Sequence, residues 1–250
     1  MPYKYKLAKN YNHFQDILID IENIFLKSGN SIHKARNELK TIEIKKTKCV
    51  VKSFKIPHIL NRIAYSFFRK GKAQKSYINA LRLQELNIET PEPVAIIEFF
   101  NYKLITTSYF ISLLEPYEFT IREVFHHTVS DYQEILKQFT KFTYEIHQKG
   151  VWHVDYSLGN ILISKQNDQY KFSLVDINRM KFVDIKEYEG LKNFNKFWAK
   201  DDNDLILIAK EYAILASLDE EKSIKIILEE AQKLKAQSNF KKKLKSLFNF

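Results

Sequence analysis

The stretch HVDYSLGN, from His153 to Asn160, decides how this sequence is interpreted. It follows a segment of helical periodicity that ends at Gly150 and precedes the short apolar run ILIS. Its histidine, aspartate and asparagine stand in the order H-x-D-x-x-x-x-N. Such a spacing arises by chance in about a few of every hundred chains of this composition. The interpretation therefore depends on what the rest of the chain supplies.

Two further residues complete a chemical set. Lys52 lies inside the apolar run CVVKSF, and Asp176 ends the apolar run FSLVD. Transfer of a nucleotide's γ-phosphoryl group needs a cation on the other phosphates, a carboxylate that orients the acceptor hydroxyl, and oxygen ligands for Mg²⁺. Those three roles are filled, in chain order, by Lys52, then Asp155, then the pair Asn160 and Asp176.

Each of these residues also has an ordinary structural interpretation. A lysine in a strand is most often a solvated outward residue, and Asp176 could be a turn residue at the end of a strand. The phosphotransfer hypothesis gains from their placement: a lysine on the third strand, a loop after a long helix, and an aspartate after the following hairpin. Within the loop, we expect His153 to act through supporting hydrogen bonds and Gly159 to allow a sharp turn.

Composition sets the outer bounds. The chain has 250 residues and is 45% hydrophobic, enough for one large domain or two lobes. Its 40 basic and 30 acidic residues give a formal net charge of +10, so the surface should attract anions such as nucleotides, acidic membranes or nucleic acids. The single cysteine, Cys49, excludes an intrachain disulfide and indicates a reducing compartment.

The N-terminus carries positive charge but no continuous apolar segment and no small-residue cleavage site, so no signal peptide is predicted. No apolar run approaches the length of a membrane span. We therefore expect a cytoplasmic protein, or one bound peripherally to the inner face of the cytoplasmic membrane.

The first part of the chain predicts about five strands with a helical insertion. Short, partly alternating segments rich in β-branched residues mark the strands: SIHKA (31–35), KTIEIK (40–45), KCVVKSF (48–54), VAIIEFF (94–100) and KLITTSYFISLL (103–114). Between the third and fourth, apolar residues at helical spacing predict two helices separated at Gly71. The prolines of TPEP end the second helix.

From residue 117 the pattern becomes mainly helical. Ser130 and Gln133 resemble a capping box that opens a helix from Asp131 to Lys149, and Gly150 is the expected C-cap. A hairpin is predicted over GNILIS and YKFSLVDI, followed by helices over DNDLILIAKEYAILAS and EKSIKIILEEAQKLK. The sequence thus predicts an α+β, bilobal chain: an N-lobe with an antiparallel sheet over residues 1–112 and a mainly helical C-lobe over 113–250.

The sequence resembles the protein-kinase-like fold, and specifically the lipopolysaccharide kinase (Kdo/WaaP) family of bacteria. The resemblance runs over most of the chain through successive blocks: HKARNELKTIEI, CVVKSFKIP, NRIAYSFFRKGKAQKSYINALRLQELNIETPEPVA, GVWHVDYSLGNILI and LVDINRMKF. It implies ATP and Mg²⁺ as cofactors. It also implies phosphorylation of a sugar hydroxyl, on Kdo or heptose, in the lipopolysaccharide inner core; composition and spacing say nothing about that acceptor.

Within this resemblance, Asp155 and Lys52 are the catalytic pair and Asn160 with Asp176 holds the metal. The hinge, Ser112 to Glu115, should contact adenine mainly through backbone groups, with Leu113 and Glu115 as the candidates. The turn around KARNEL should cover the phosphates through Arg36 and Asn37, with a solvated turn as the alternative, because the chain has no glycine-rich loop.

Three departures from protein kinases matter. Ser157 stands where protein kinases carry a lysine two residues after the catalytic aspartate, which favours a small-molecule or sugar acceptor over a protein. The metal aspartate is followed by INR rather than Phe-Gly, and no Ala-Pro-Glu segment follows, so no phosphorylation-controlled activation loop is expected. The helix that should offer a glutamate to Lys52 has only Glu85, near its end; either Glu85 pairs with Lys52 or a neutral residue such as Asn79 takes that place.

Two basic regions bear on the acceptor. Ser157, Arg179 and Lys181 are candidate substrate contacts; Arg179 and Lys181 could meet an acidic sugar's carboxylate, and Arg179 could equally brace the loop. The C-terminal NFKKKLKSLFNF places apolar residues at near-helical spacing among lysines. It could lie on an anionic membrane surface, or dock its apolar side on the C-lobe.

Two other functional classes remain open beside a sugar kinase or a kinase for another small molecule or a protein. A catalytically inactive kinase-like scaffold is favoured by the missing helix glutamate and disfavoured by the intact Lys52, Asp155, Asn160 and Asp176. A nucleic-acid-binding protein is suggested by the net charge, but no nucleic-acid module is present and the basic residues are spread out. No nucleic-acid partner is therefore expected.

Overall fold

The computed structural model describes residues 2–34, 37–54, 59–67, 69–167, 169–197, 199 and 201–247. The chain divides into two compact units. The first unit contains Met1–Pro116 together with Asp176–Asn178, and the second contains Tyr117–Val175 together with Arg179–Phe250. The short segment Asp176–Asn178 thus belongs to the first unit although its chain neighbours on both sides belong to the second.

The first unit is built on an antiparallel sheet with helices around it. Its elements in chain order are β1 (Tyr3–Leu7), a 3-10 helix (Lys9–Phe14), α1 (Gln15–Leu18), α2 (Ile21–Lys27), β2 (Asn30–Lys34), β3 (Glu38–Ile44), β4 (Thr47–Phe54), α3 (Ile59–Phe67), α4 (Lys72–Glu85), β5 (Pro93–Asn101) and β6 (Leu104–Leu113).

The described strands form one six-stranded sheet in the order β1-β5-β6-β4-β3-β2. The five strands predicted from the pattern are all present, with bounds within a few residues of those expected. The sixth, β1, has no sequence prediction because its segment YKYKL is almost entirely exposed and so lacks a buried alternation. It pairs antiparallel with β5, from Tyr3 opposite Phe99 to Leu7 opposite Ala95.

The two faces of the sheet pack against different helices, because side chains alternate along each strand. One face carries Val51 and Ile111, both fully buried, in a core with residues of the N-terminal helices such as Phe14 and Phe25. On the other face, Phe54 packs in a cluster with Ala73 and Tyr77 of α4. Lys52 lies two residues before Phe54 and therefore shares the face that α4 covers.

The second unit is mainly helical. Its elements are β7 (Phe119–Thr120), α5 (Ile121–Phe125), α6 (Tyr132–Gln148), β8 (Val151–Trp152), β9 (Ile161–Gln166), β10 (Gln169–Leu174), β11 (Lys181–Phe182), a 3-10 helix (Glu187–Lys196), α7 (Asp202–Ala216) and α8 (Glu220–Leu247). One further 3-10 turn, Ile177–Arg179, runs across the boundary in sequence between the units.

The predicted hairpin is confirmed. β9 and β10 pair antiparallel from Ile161 opposite Leu174 to Gln166 opposite Gln169. Helix α6 packs its apolar face into an aromatic cluster at the centre of the second unit. In that cluster the Phe139 ring lies 5.7 Å from the ring of Tyr156, and Tyr156 is fully buried.

The predicted helix starts and stops are partly right. Gly150 follows the end of α6 with φ +71°, the left-handed conformation that favours glycine. The capping box expected at Ser130 and Gln133 is wrong, because the N-cap residue is Asp131 and no side-chain cap hydrogen bond forms there. A capping box does open α5, where Thr120 and Glu123 satisfy each other's backbone groups.

Helix α8 continues to Leu247 and so includes most of the basic C-terminal stretch, which the sequence treats as a separate segment. In the described part of the chain, none of the helices is both long enough and apolar enough to cross a bilayer.

Candidate active site

The first unit holds an ion pair between Lys52 of β4 and Asp176. Lys52 Nζ lies 2.5 Å from Asp176 Oδ1, across a separation of 124 residues in the chain. Lys52 is only 9% exposed, so it is not the outward, solvated strand lysine of the ordinary interpretation. Because a buried ammonium group is costly without a partner, the carboxylate of Asp176 is what makes this position tolerable.

The partner expected from helix α4 is not a glutamate. Glu85 is exposed near the end of α4, while the described ion pair of Lys52 is with Asp176. Asn79 of α4 instead donates from Nδ2 to the carbonyl oxygen of Ile177 at 2.7 Å. The helix therefore holds the residue after Asp176, and does not contribute an acid to Lys52.

Asp176 is fixed in an uncommon backbone conformation. Its φ is +55°, in the left-handed region that costs a non-glycine residue roughly 1 kcal/mol or more. Asn178 Nδ2 donates to Asp176 Oδ1 at 2.6 Å, on the same oxygen that meets Lys52. Both contacts use Oδ1, and Oδ2 takes part in neither of them.

In the second unit, His153 organises the loop that carries Asp155. The backbone N–H of Asp155 donates to His153 Nδ1 at 3.1 Å, so that nitrogen carries the lone pair. The other ring nitrogen, Nε2, then carries the hydrogen and donates to the carbonyl of Val175 at 3.0 Å. His153 is 1% exposed, and each ring nitrogen is hydrogen-bonded to a backbone group.

Two cations lie against the carboxylate of Asp155. Arg179 Nη1 is 3.2 Å from each carboxylate oxygen, and Lys196 Nζ is 3.0 Å from Oδ1. Burial by itself raises the pKa of Asp155, but the hydrogen bond and charge of Lys196, with the charge of Arg179, outweigh it and lower the pKa below its usual value. Asp155 is thus ionised at neutral pH and able to accept a hydrogen bond from a hydroxyl group.

Asn160 is the last residue of the loop and is tied back to Asp155. Its side-chain Nδ2 donates to the backbone carbonyl of Asp155 at 2.8 Å, which leaves Oδ1 as the acceptor atom of the amide. The carbonyl of Asn160 accepts from the N–H of Val175, the residue before Asp176. The loop's end is therefore fixed beside the end of β10.

These donor atoms suit Mg²⁺. The ion prefers oxygen ligands and is usually held by one or two carboxylates, with phosphate oxygens and water completing the octahedron. Asn160, in the second unit, has an amide oxygen, and Asp176, in the first unit, has a carboxylate oxygen, so each has a donor atom of the type that Mg²⁺ prefers. Among the described residues, no group of three or more His, Cys, Asp or Glu side chains is placed to hold a metal without such help.

Tyr156 and Gly159 of the loop pack against neighbouring helices. Tyr156 hydrogen-bonds through its hydroxyl to Thr143 of α6 at 2.8 Å, and its burial raises its pKa. A Cβ at Gly159 would lie 3.0 Å from Nη2 of Arg122. A side chain at residue 159 would therefore require the exposed guanidinium group of Arg122 to move slightly. The φ of Gly159 is not positive, so the turn itself does not require glycine, contrary to the sequence expectation.

The remaining predicted site residues are more scattered. Ser157 is half-buried in the loop, and its carbonyl accepts from the N–H of Asn160 at 2.9 Å. Lys181 is exposed on β11, opposite Trp152 of β8. The N–H of Leu113 donates to the carbonyl of Glu92, so this donor is committed within the first unit, and Glu115 is half-buried.

Asn37 is half-buried at the start of β3, and Arg36, the other predicted phosphate contact, lies outside the described residues. One residue at the Asp155 carboxylate, Lys196, has no sequence prediction. Lys196 lies 41 residues after Asp155, outside any motif. Its only sequence hint is that it is a basic residue beside aromatic residues, which many positions share.

Comparisons with known proteins agree with this geometry at the level of the fold. The sequence matches no protein-family profile and no curated protein sequence. The structure is similar to that of WaaP in complex with acyl carrier protein, with a TM-score of 0.60 and 16% identity over 92% of this chain and 99% of WaaP. The chain has the protein-kinase-like fold.

A second solved structure supports that assignment. The Rio2 kinase from Chaetomium thermophilum, in an ADP/Mg²⁺-phosphoaspartate complex, matches with a TM-score of 0.50 and 14% identity over 88% of this chain and 67% of Rio2. The predicted α+β, protein-kinase-like fold is therefore confirmed.

Proposed function

We propose that this chain is a Mg²⁺-dependent kinase that transfers the γ-phosphate of ATP to a sugar hydroxyl, on Kdo or heptose, of the lipopolysaccharide inner core. One observation carries the phosphotransfer part of this proposal. Lys52 and Asp176, assigned by the sequence to phosphate binding and to metal binding, form a 2.5 Å ion pair on a kinase-like fold. If the two sequence assignments were unrelated, there would be no reason to expect this buried lysine to pair with this aspartate.

In the proposed reaction, the residues of the chain position and neutralise charge. Lys52 binds the phosphates that are not transferred, and Asp155 orients the acceptor hydroxyl and takes its proton. Asn160 and Asp176 would hold a magnesium ion, which would neutralise charge on the phosphate oxygens. No residue forms a covalent intermediate, so the rate arises from orientation and electrostatic stabilisation.

Nucleotide binding is proposed to involve the hinge and the turn before β3. Glu115 and the carbonyl side of Leu113 contact adenine, since the Leu113 N–H already donates to Glu92. Asn37, together with Arg36, covers the phosphates. These assignments rest on the kinase-like order of the elements.

The acceptor is proposed to be an acidic sugar for two reasons. The position two residues after Asp155 is the uncharged Ser157, as in relatives that act on sugars, and two basic residues, Arg179 and Lys181, follow the metal aspartate. The Arg179 side chain is 62% exposed while it contacts Asp155, so an incoming carboxylate can recruit it at little cost. The resemblance of the sequence to the Kdo/WaaP family supports the same acceptor class.

We also propose that the C-terminal part of α8 meets an anionic membrane surface, where a lipid-linked acceptor resides. Phe240 is 63% exposed and Leu244 is 37% exposed, one helical turn apart. Neither is covered as the docking alternative requires. The neighbouring Lys241, Lys242 and Lys243 are exposed as well. Leu247 and Lys245 have no described side chains, and Phe248 lies outside the described residues.

The test is direct. The protein is incubated with ATP, Mg²⁺ and purified Kdo-lipid A, and mass spectrometry is used to detect an added phosphate on the lipid. Asp155→Asn should lower the rate by about 10²- to 10⁴-fold, because it removes the proton acceptor while keeping the side chain's size. Asp184→Asn, at an exposed position of the same unit, is the matched control and should leave the rate unchanged.

The outcomes separate the alternatives. Phosphorylated Kdo-lipid A would support the kinase and the Kdo acceptor. ADP formation without lipid phosphorylation retains a kinase and rejects Kdo, which leaves heptose, another small molecule or a protein as the acceptor. Failure of the wild-type chain to bind Mg·ATP would favour the inactive scaffold. Full activity of Asp155→Asn would contradict the mechanism.

A further inference from the structure

Lys196 is the least exposed cation at the Asp155 carboxylate. Its side chain is 33% exposed, against 62% for Arg179. Its Nζ donates to two acceptors, the carbonyl of Val154 at 2.6 Å and Asp155 Oδ1 at 3.0 Å. Lys196 thus hydrogen-bonds to both the backbone and a side chain of the loop, whereas the described bonds of Arg179 are to the carboxylate.

The position of Lys196 is built by its own segment. Lys196 is the last residue of the 3-10 helix Glu187–Lys196, and Asn193 of the same helix donates from Nδ2 to the carbonyl of His153 at 3.0 Å. Phe194 and Phe197, on either side, are fully buried. The Phe197 ring meets the ring of Tyr156 edge-on at 5.3 Å. The backbone around Lys196 is therefore fixed to the Asp155 loop by hydrogen bonds and by aromatic packing.

An ammonium group has three N–H donors. Two of those of Lys196 go to Val154 and Asp155, and the third has no acceptor among the residues that the structure describes. The group is partly exposed at this point, so a ligand at Asp155 can reach it. A phosphoryl oxygen is the acceptor that a kinase would bring there.

The charge at this site also calls for a cation. A transferred phosphoryl group carries negative charge on its oxygens, and it must approach the ionised carboxylate of Asp155. Ser157, the loop position two residues after Asp155, has no charge to offset that repulsion. A preorganised cation at the carboxylate stabilises the transition state without reorganisation.

We propose that Lys196 is a further catalytic residue. It fixes the Asp155 carboxylate and donates its third N–H to the phosphoryl group during transfer. This inference rests on the proposed phosphotransfer function. As the acceptor oxygen bonds to the γ-phosphorus, the bond from that phosphorus to the bridging oxygen breaks and ADP leaves. Asp155 takes the hydroxyl proton, and Lys196 stays protonated throughout.

Two variants separate the charge of Lys196 from its role as a hydrogen-bond donor. Lys196→Gln keeps a donor for the Val154 carbonyl but has no charge, and Lys196→Arg keeps the charge. Lys192→Gln, on the exposed side of the same 3-10 helix, is the matched control. Each protein is assayed for Mg·ATP affinity by calorimetry, for thermal stability, and for ADP formation at saturating ATP with Kdo-lipid A as the acceptor, with water as the acceptor in its absence.

We expect Lys196→Gln to lower kcat by about 10²- to 10³-fold, with the KM for ATP within about threefold of the wild type. Lys196→Arg should recover kcat to within about tenfold of the wild type. Lys192→Gln should match the wild type. A purely structural role predicts a different result, namely lower thermal stability in both Lys196 variants and no rescue by arginine.

A kcat of Lys196→Gln close to that of the wild type overturns the inference and leaves the proposed function intact. Equal losses in Lys196→Gln and Lys196→Arg, accompanied by lower thermal stability, overturn it too. A wild-type chain that neither binds Mg·ATP nor forms ADP overturns the inference and the proposed function together.

Discussion

At the scale of single residues, the partners of Lys52 and Asn79 show how the site replaces a helix glutamate. Lys52 is satisfied by Asp176 itself, and Asn79 holds the carbonyl of Ile177. An amide is the suitable side chain here, because a carboxylate at residue 79 would face a backbone oxygen that can only accept hydrogen bonds. In the usual pair the helix contacts the lysine through a glutamate. Here the helix contacts the backbone beside Asp176 through an amide.

This arrangement predicts that Asn79 contributes to folding stability and to Mg·ATP binding, and that Glu85 contributes to neither. Asn79→Ala leaves the Ile177 carbonyl without its side-chain donor, which should lower the free energy of unfolding by about 1 to 2 kcal/mol. It should also weaken Mg·ATP binding, because the residue after Asp176 loses its support. Urea denaturation and calorimetric titration with Mg·ATP measure the two effects.

Glu85→Gln is the comparison variant, at an exposed position near the end of the same helix. It should change neither quantity. Loss of nucleotide binding in Glu85→Gln, with normal binding in Asn79→Ala, would show that Glu85 becomes the partner of Lys52 when nucleotide is bound.

The sequence located Lys52, Asp155, Asn160 and Asp176 on the elements that carry them, because motif spacing and apolar runs are local properties of the chain. It did not locate Lys196, whose contact with Asp155 spans 41 residues and depends on how the aromatic cluster folds. It also left the partner of Lys52 open. The partner found, Asp176, lies 124 residues from Lys52 in the chain, and short-range patterns cannot detect a pairing over that separation.

At the scale of elements, one buried histidine links three helices to the loop that carries Asp155. His147 of α6 accepts from the Tyr212 hydroxyl of α7 at Nδ1 and donates from Nε2 to Asn193 Oδ1. Asn193 in turn donates to the carbonyl of His153. This series of bonds fits a neutral His147 with its hydrogen on Nε2, whereas a proton on Nδ1 would require the Tyr212 hydroxyl to turn and accept a hydrogen bond.

A pH-dependent stability follows. Burial lowers the pKa of His147 to about 4, whereas an unfolded histidine titrates near pH 6.5. Between these values the unfolded chain binds more protons than the folded one, so folding is weakened as the pH falls. From pH 7.5 to about 4.5, His147 should account for a loss of about 2 to 3 kcal/mol in the free energy of unfolding.

The measurement is urea denaturation across this pH range in the wild type and in His147→Gln. The variant is expected to be less stable at neutral pH but to have a shallower dependence on pH. Parallel curves for the two proteins would mean that His147 is not the group that titrates.

Element starts were harder to predict than element types. The Ser130 and Gln133 pattern has the spacing of a capping box, yet Ser130 Oγ donates to Asp131 Oδ1 at 2.9 Å and the helix begins one residue later than expected. Thr120 and Glu123 have the same spacing and do form the box. The spacing shows which residues are able to form a capping box. Whether the box forms depends on where the helix begins in the folded protein.

At the scale of the whole molecule, the net charge of +10 includes a run of lysines beside exposed apolar residues on α8. If this helix lies on a membrane, the protein should sediment with vesicles that contain phosphatidylglycerol and not with vesicles of phosphatidylcholine alone. Each lysine near an anionic surface contributes about 1 kcal/mol. The binding should weaken as salt is added, since salt screens exposed charges.

Phe240→Ser with Leu244→Ser should reduce vesicle binding by about tenfold or more, by removing buried apolar area. Ile214→Ser is the matched control, because Ile214 is 70% exposed on α7 and lies outside the basic stretch. Equal binding to both kinds of vesicle, or equal loss in the control, would contradict a specific role for α8.

The chain path around Asp176 has a consequence for how this protein can be divided. Residues Asp176–Asn178 belong to the first unit, although in the chain they lie between the two parts of the second, Tyr117–Val175 and Arg179–Phe250. A gene split after Pro116 would therefore place Lys52 and Asp176 on different polypeptides. Neither fragment alone would contain the ion pair. We expect phosphotransfer only when the two fragments are produced together and reassemble, so that activity would report their complementation.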